Sequence, residues 1–211
     1  MSSLLIGKKA PAFRAKAVAG QKIIEGFSLE KFLGKYVIFF FYPLDFTFVC
    51  PTELHAFQEQ LYTFKQFDAE VVGCSVDSCY THLAWGKQPK IEGGIEGVEY
   101  PLVSDLNKEI TKSYQVLKED EGIAYRAQFL IDKQGIIRHQ LVNDLPLGRS
   151  VAEVLRLLQA LIFHEKHGEV CPANWKAGAP SMQPTQDGLH KYFSQKAPSL
   201  QVSEVSRAVT P

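Results

Sequence analysis

Six apolar residues in unbroken succession, Val37-Ile38-Phe39-Phe40-Phe41-Tyr42, constrain this chain more than any other segment. All six are β-branched or aromatic, the side chains that suit a pleated strand. A strand with one wet face would alternate apolar and polar residues. This one does not, so it is expected at the centre of a sheet with both faces covered. Pro43 ends it, because proline has no N–H to extend a ladder. The run is also far too short to cross a bilayer as a helix.

The flanking sequence provides cover for such a strand. Upstream, Ser28 is a plausible N-cap for a short helix over Leu29–Phe32 that stops at Gly34. Downstream, Pro51 and the acidic Glu53 signal a helix start, and Leu54, Phe57, Leu61 and Phe64 recur at helical spacing through about Phe67. Glu70–Val76 reads as a second strand, followed by a helix around Thr81–Lys87. Pro89–Pro101 contains Gly93, Gly94 and Gly97 and reads as a loop, and Leu106–Tyr114 as a short helix. Tyr125–Ile131 and Ile136–Val142 form a hairpin across Asp132-Lys133-Gln134-Gly135. Ser150 and Glu153 make a capping box before an amphipathic helix that stops near Gly168.

This order predicts an α/β fold of thioredoxin-like architecture, a mixed central sheet with helices on both faces. Residues 1–168 are assigned to that domain. From Glu169 the composition changes, and five of the eleven prolines follow. Residues 169–211 are therefore read as a C-terminal arm.

Charge and cysteine spacing exclude several classes. Lys+Arg and Asp+Glu both number 23 in the 211 residues, so nothing electrostatic points to nucleic acid or an anionic membrane as partner. The N-terminus has only three apolar residues in a row, Leu4-Leu5-Ile6, too few for a signal peptide, so a soluble, cytoplasmic protein is expected. Cys50, Cys74, Cys79 and Cys171 are separated by 24, 5 and 92 residues, with no Cys-x-x-Cys pair. Neither a zinc knuckle nor a thioredoxin-type dithiol is spelled out, and no metal or cofactor is implied. In a reducing compartment any disulfide would be transient and catalytic.

Cys50 stands where the loop after the buried strand meets a helix N-terminus, a position that favours an anion and so a thiolate. A helix end is worth roughly 0.3–1 kcal/mol, less than one pKa unit, so a cation is needed as well. Arg126 and Arg149 are the candidates, since arginine stays charged and offers several donors. Thr47 can hydrogen-bond at the same mouth, and Pro43 stiffens the loop. Cys74, inside Val71-Val72-Gly73-Cys74-Ser75-Val76, reads as a small buried hydrophobe. Cys79 follows a strand end and is expected to be exposed, with nothing nearby to activate it.

The residues Pro43-Leu44-Asp45-Phe46-Thr47-Phe48-Val49-Cys50-Pro51-Thr52-Glu53 resemble the active-site loop of the typical 2-Cys peroxiredoxins, written P-x-x-x-T-x-x-C. Cys74-Ser75-Val76-Asp77-Ser78, Thr81-His82-Leu83-Ala84-Trp85, the segment Val142–Ser150 and His167–Trp175 resemble further stretches of that family. The resemblance implies a thiol-specific peroxidase with Cys50 as peroxidatic and Cys171 as resolving cysteine. Pro43, Thr47 and Arg126 would complete the peroxide pocket, with Glu53 and Arg149 orienting Arg126. Cys171 would come from a partner subunit, making a homodimer, commonly five to a decamer. Thioredoxin or a flavoprotein disulfide reductase would return the electrons. The resemblance also bears on over-oxidation: Tyr192-Phe193 matches sensitive members, while Gly93-Gly94-Ile95-Glu96-Gly97 has an extra residue before its last glycine. That pairing implies partial sensitivity.

Three other readings compete. A holdase chaperone would expose apolar surface on oxidation and suppress client aggregation. A peroxide sensor would use the same thiol to signal. A general disulfide oxidoreductase would reduce insulin, for which this chain lacks the Cys-x-x-Cys pair.

Overall fold

The apolar run lies inside the sheet, as expected. In the computed structural model, which describes residues 4–195, all six residues of the strand Tyr36–Phe41 are buried. In chain order the strands are β1 (Ala15–Ala19), β2 (Lys22–Phe27), β3 (Tyr36–Phe41), β4 (Ala69–Ser75), β5 (Leu102–Ser104), β6 (Leu117–Lys118), β7 (Ile123–Ala124), β8 (Arg126–Ile131) and β9 (Ile137–Asn143). Seven of them form one sheet in the order β2-β1-β5-β4-β3-β8-β9, and β6 with β7 makes a separate small ribbon.

The helices are α1 (Cys50–Glu59), α2 (Leu61–Gln66), α3 (Cys79–Trp85), α4 (Glu109–Ser113), α5 (Val151–His167) and α6 (Gln186–Gln195). Strands β3, β4 and β5 are parallel, since helical crossovers join them. β8 runs antiparallel to β3, and β9 to β8. That topology brings the start of β8, the end of β9 and the loop after β3 to one end of the sheet. Arg126 pairs with Asn143 there, and β3 delivers Pro43 to the same end. The chain divides into two compact units between Leu155 and Arg156.

Alternate residues of β3 serve opposite faces. Phe39 and Phe41 meet the Tyr114 ring at 5.0 and 5.2 Å. Phe40 faces the other way and stacks on Phe57 of α1 at 4.4 Å. Gly73 on β4 makes room for this layer, because a Cβ there would lie 2.8 Å from Leu102 and 3.1 Å from the Phe40 ring. The mixed sheet covered by helices is the thioredoxin-like fold expected from the element order.

The structure differs from the sequence reading in several elements. The helix expected from Pro51 to Phe67 is two helices, broken at Gln60, whose backbone leaves the helical region at φ −99° and ψ 4°. β1 and β2 form a hairpin across Gly20-Gln21, where Gly20 takes φ +56°. β5 lies between the loop read over Pro89–Pro101 and the helix read over Leu106–Tyr114, where no element was expected. Its three residues are a strand because β4 and β1 flank them on both sides. Cys79, expected at the surface, is buried as the first residue of α3.

In the second unit, Trp175 is buried with its ring 5.0 Å from Phe163. Val170 and Met182 exchange backbone hydrogen bonds. α6 follows where little periodic structure was expected, and Thr185 Oγ1 accepts from the Gly188 N–H in its first turn. The arm's residues 196–211, and residues 1–3 of the N-terminal reading, lie outside the described residues. Among the described residues, no helix is long and apolar enough to cross a membrane.

Candidate active site

Cys50 is the first residue of α1 and is fully buried. Its Sγ lies 2.9 Å from Thr47 Oγ1 and 3.4 Å from Arg126 Nη1. The Thr47 hydroxyl has one proton and a second acceptor within reach, the Leu44 carbonyl at 2.8 Å. It can donate to a thiolate, or accept from a thiol while donating to Leu44, by rotating one bond. Pro43, buried where β3 ends, starts the loop that carries Thr47 to this place.

Arg126 opens β8 and is buried. Its Nε donates to the Leu145 carbonyl at 2.5 Å, and its Nη1 donates to Glu53 Oε2 at 2.9 Å as well as facing the sulfur. Its Nη2 has no hydrogen-bond partner among the described residues, which leaves two donors of this guanidinium unused.

Arg149 makes a different set of bonds. Its backbone N–H and Nε both donate to Glu53 Oε1, at 2.9 and 2.8 Å, and its Nη2 to Glu53 Oε2 at 2.7 Å. Its Nη1 donates to the carbonyls of Phe41 and Ala127, at 2.8 and 2.6 Å, and its guanidinium lies 5.0 Å from the Phe40 ring centre. Arg149 therefore clamps Glu53 to the ends of β3 and β8 and does not touch the sulfur among these contacts.

Glu53 links the two arginines. Burial pushes its carboxyl up, but the hydrogen bonds and charge of Arg149, with Arg126 beside it, outweigh burial and hold it below the ordinary carboxylate range. The buried cluster thus has two cations and one carboxylate. One further negative charge, at Sγ or on a bound oxygen, would balance it. Low surrounding polarity makes that match count for more than it would in water.

The structure brings together six of the seven residues singled out in the sequence: Pro43, Thr47, Cys50, Glu53, Arg126 and Arg149. Of the two arginines, Arg126 faces the sulfur and Arg149 bonds Glu53 behind it. Cys171 belongs to the second unit, where it is half-buried with its Sγ 3.6 Å from the Ala160 carbonyl. Burial pushes its thiol up, and Arg156 opposes that shift. Cys74 is fully buried on β4, and burial with the nearby Asp105 carboxylate pushes its thiol well up.

A buried polar group missed in the sequence fixes the loop from behind. Tyr42 Oη donates to Asp45 Oδ1 at 2.8 Å, and His82 Nδ1 donates to Asp45 Oδ2 at 2.7 Å. The Asp45 backbone N–H donates to Asp77 Oδ2 at 2.9 Å. Asp45 is thus tied to β4's end and to α3, five residues before Cys50. The available signal was His82 on the otherwise apolar face of its helix.

The chain matches the AhpC/TSA family over residues 6–140 and the C-terminal domain of 1-Cys peroxiredoxin over residues 160–195. Peroxiredoxin-1 of Gallus gallus is 53% identical over 191 residues, spanning 90% of this chain and 96% of that protein. The reduced 2-Cys peroxiredoxin of Plasmodium vivax superposes with a TM-score of 0.87 at 50% identity, over 90% of this chain and 99% of that one. Thioredoxin peroxidase I of Plasmodium yoelii gives 0.72 at 52% identity, over 82% and 99%.

Proposed function

We propose, on the premise that this chain belongs to the AhpC/TSA family of peroxiredoxins and is a thiol-dependent peroxidase, that Cys50 is its peroxidatic cysteine and Cys171 its resolving cysteine. The observation that carries the assignment is the pair of donors on Cys50 Sγ, Thr47 Oγ1 and Arg126 Nη1. A thiolate held in that fork points its free lone pairs at a peroxide, either hydrogen peroxide or an organic hydroperoxide.

In the first step the Cys50 thiolate attacks the terminal hydroxyl oxygen of the peroxide, forming an S–O bond as the O–O bond breaks. The attacked oxygen keeps its proton and becomes the Cys50 sulfenic acid. The leaving alkoxide or hydroxide takes a proton from solvent and departs as alcohol or water. Charge grows on the leaving oxygen, and the free Nη2 donors of Arg126 are placed to stabilise it. Glu53 and Arg149 are positioning residues: they fix the Arg126 fork, and Pro43 fixes the loop.

In the second step Cys171 attacks the sulfenic sulfur, a disulfide forms and water leaves. Cys171 comes from a partner subunit of a homodimer, and five such dimers make a decamer. The arm over residues 169–211 is the element that carries Cys171 across. An external dithiol protein, thioredoxin or a flavoprotein disulfide reductase, then exchanges its thiols for the disulfide. The name of the Plasmodium yoelii relative favours thioredoxin. The cytoplasm suits this cycle, because its reducing poise returns the cysteines to thiols.

A non-reducing gel after one equivalent of peroxide tests the pairing. Wild type should give a disulfide-linked dimer that both Cys50→Ser and Cys171→Ser abolish. A dimer band surviving in Cys50→Ser, together with peroxide turnover, would overturn the assignment.

A further inference from the structure

The geometry points to His55 as a positioning residue that fastens the Cys50 helix and sets how the Cys50 sulfenic acid divides between disulfide formation and over-oxidation. The inference rests on the proposed Cys50–Cys171 pairing and adds a residue to it.

Two sulfurs must come within about 2.0 Å to bond. Cys50 is fully buried at the first position of α1, behind Thr47 and Arg126. No second sulfur can reach it there unless the first turn of α1 opens. The rate of that opening depends on what holds the helix just below.

From Leu54 onward, α1 is tied to the segment over residues 88–100. The Tyr100 hydroxyl donates to the Leu54 carbonyl at 2.8 Å, His55 Nε2 donates to the Gly94 carbonyl at 3.0 Å, and the Glu99 N–H donates to Gln58 Oε1 at 3.0 Å. His55 and Gly94 are both buried, so neither group has water as a ready substitute. The exposed Lys90–Glu59 pair adds little by comparison.

The receiving loop is itself rigid. Gly94 is held so closely that a Cβ there would lie 1.9 Å from the Gln88 carbonyl oxygen. Trp85 Nε1 donates to the Gly93 carbonyl, and the Ile95 and Glu96 N–H groups donate to the carbonyls of Trp85 and Gln88. His55 therefore anchors α1 to a fixed point, five residues from the reacting sulfur.

Once the sulfenic acid forms, two reactions compete. If the first turn opens, Cys171 displaces hydroxide from the sulfur and water leaves as the disulfide forms. If it stays closed, a second peroxide gives one oxygen to the sulfenic sulfur, producing the sulfinic acid and leaving as water or alcohol. A tighter fastener favours the second course.

The test measures the hydrogen peroxide concentration at which half of Cys50 becomes sulfinic, by intact-mass spectrometry of the full chain. His55→Ile should raise that midpoint about threefold to tenfold, the range one buried hydrogen bond commands. The first-step rate with peroxide, measured by competition with a reference peroxidase, should stay as in wild type. His55→Gln, whose amide can donate to the same carbonyl, should return the midpoint toward wild type. Tyr100→Phe, which removes only a hydroxyl, should move it in the same direction as His55→Ile and guards against a misfolded isoleucine variant.

An unchanged midpoint in both His55→Ile and Tyr100→Phe, with the disulfide still forming, would overturn the inference and leave the cysteine pairing intact. An equal fall of the first-step rate in both variants would also overturn it, because the effect would be general loosening. Failure of wild type to form any Cys50–Cys171 disulfide would instead remove the pairing beneath it.

Discussion

Cys50 and Cys74 are both fully buried, and only one residue separates Cys74's strand partner, Phe41, from Pro43. Their surroundings differ completely. Cys74 sits among Phe39, Phe41, Val72 and Tyr114, where burial pushes its thiol well up and Asp105 adds to the shift. Cys50 is equally dry but has a hydroxyl and a guanidinium within hydrogen-bond reach, backed by Glu53 and Arg149. Exposure would single out Cys171, which alone of the four is not buried. The contrast teaches that reactivity here follows the polar groups supplied to the sulfur. Access to bulk solvent is a poor guide.

Exchanging the sulfurs should break the contrast most sharply. Cys50→Ser should lower peroxide turnover by on the order of 10⁴-fold or more, as loss of a nucleophile does. Cys74→Ser should leave turnover intact while costing about 1–3 kcal/mol in urea denaturation, the penalty of a poorly satisfied buried hydroxyl.

Removing the support behind Cys50 should have the next largest effect. Glu53→Gln breaks a buried ion cluster and should cost roughly 3–5 kcal/mol of stability. It should also change the acid limb. Folded Glu53 is held below the ordinary carboxylate range, so the unfolded chain takes up the proton first as pH falls. The stability from this cluster is complete above about pH 4.3 and is lost as pH drops through the folded value. Urea denaturation between pH 7 and pH 3 should show that loss in wild type and not in the glutamine variant.

Smaller changes sharpen the role of each donor. Arg126→Ala should slow the peroxide reaction roughly 10²–10³-fold, the usual cost of one preorganised donor. Arg126→Lys should rescue it poorly, since an ammonium cannot bond Leu145, Glu53 and a peroxide in one plane. Thr47→Val should slow it about tenfold, while Thr47→Ser retains the hydroxyl and most of the rate. Stopped-flow rates with hydrogen peroxide check all four.

Legibility in the sequence followed the range of the interactions involved. β3 was readable because six residues without a polar member leave no solvent face, and the helix start at Cys50 because Pro51 and Glu53 mark it locally. The hairpin of β1 and β2 was not, since Ala15–Ala19 is mostly small residues and gains its pairing from β5 and β2. β5 is three residues long and owes its conformation to neighbours on both sides. The residues alone left the two arginines as equal candidates, and only the resemblance divided their roles, because that division depends on where β8 and the loop after β9 end. Asp45 and His82 are 37 positions apart, and only the fold joins them. The break at Gln60 has no local breaker such as Gly or Pro to announce it.

The most direct measurement is where a single oxygen lands. Reduced protein would receive substoichiometric hydrogen peroxide, followed at once by dimedone to trap sulfenic acid, with the label located by peptide mass spectrometry. The expected result is label on Cys50 alone, lost when Arg126→Ala is treated under the same brief exposure. Label distributed by exposure, with Cys171 ahead of Cys50, or labelling of Cys74 at a rate like that of Cys50, would contradict the claim that the Thr47–Arg126 fork makes this buried sulfur the reactive one.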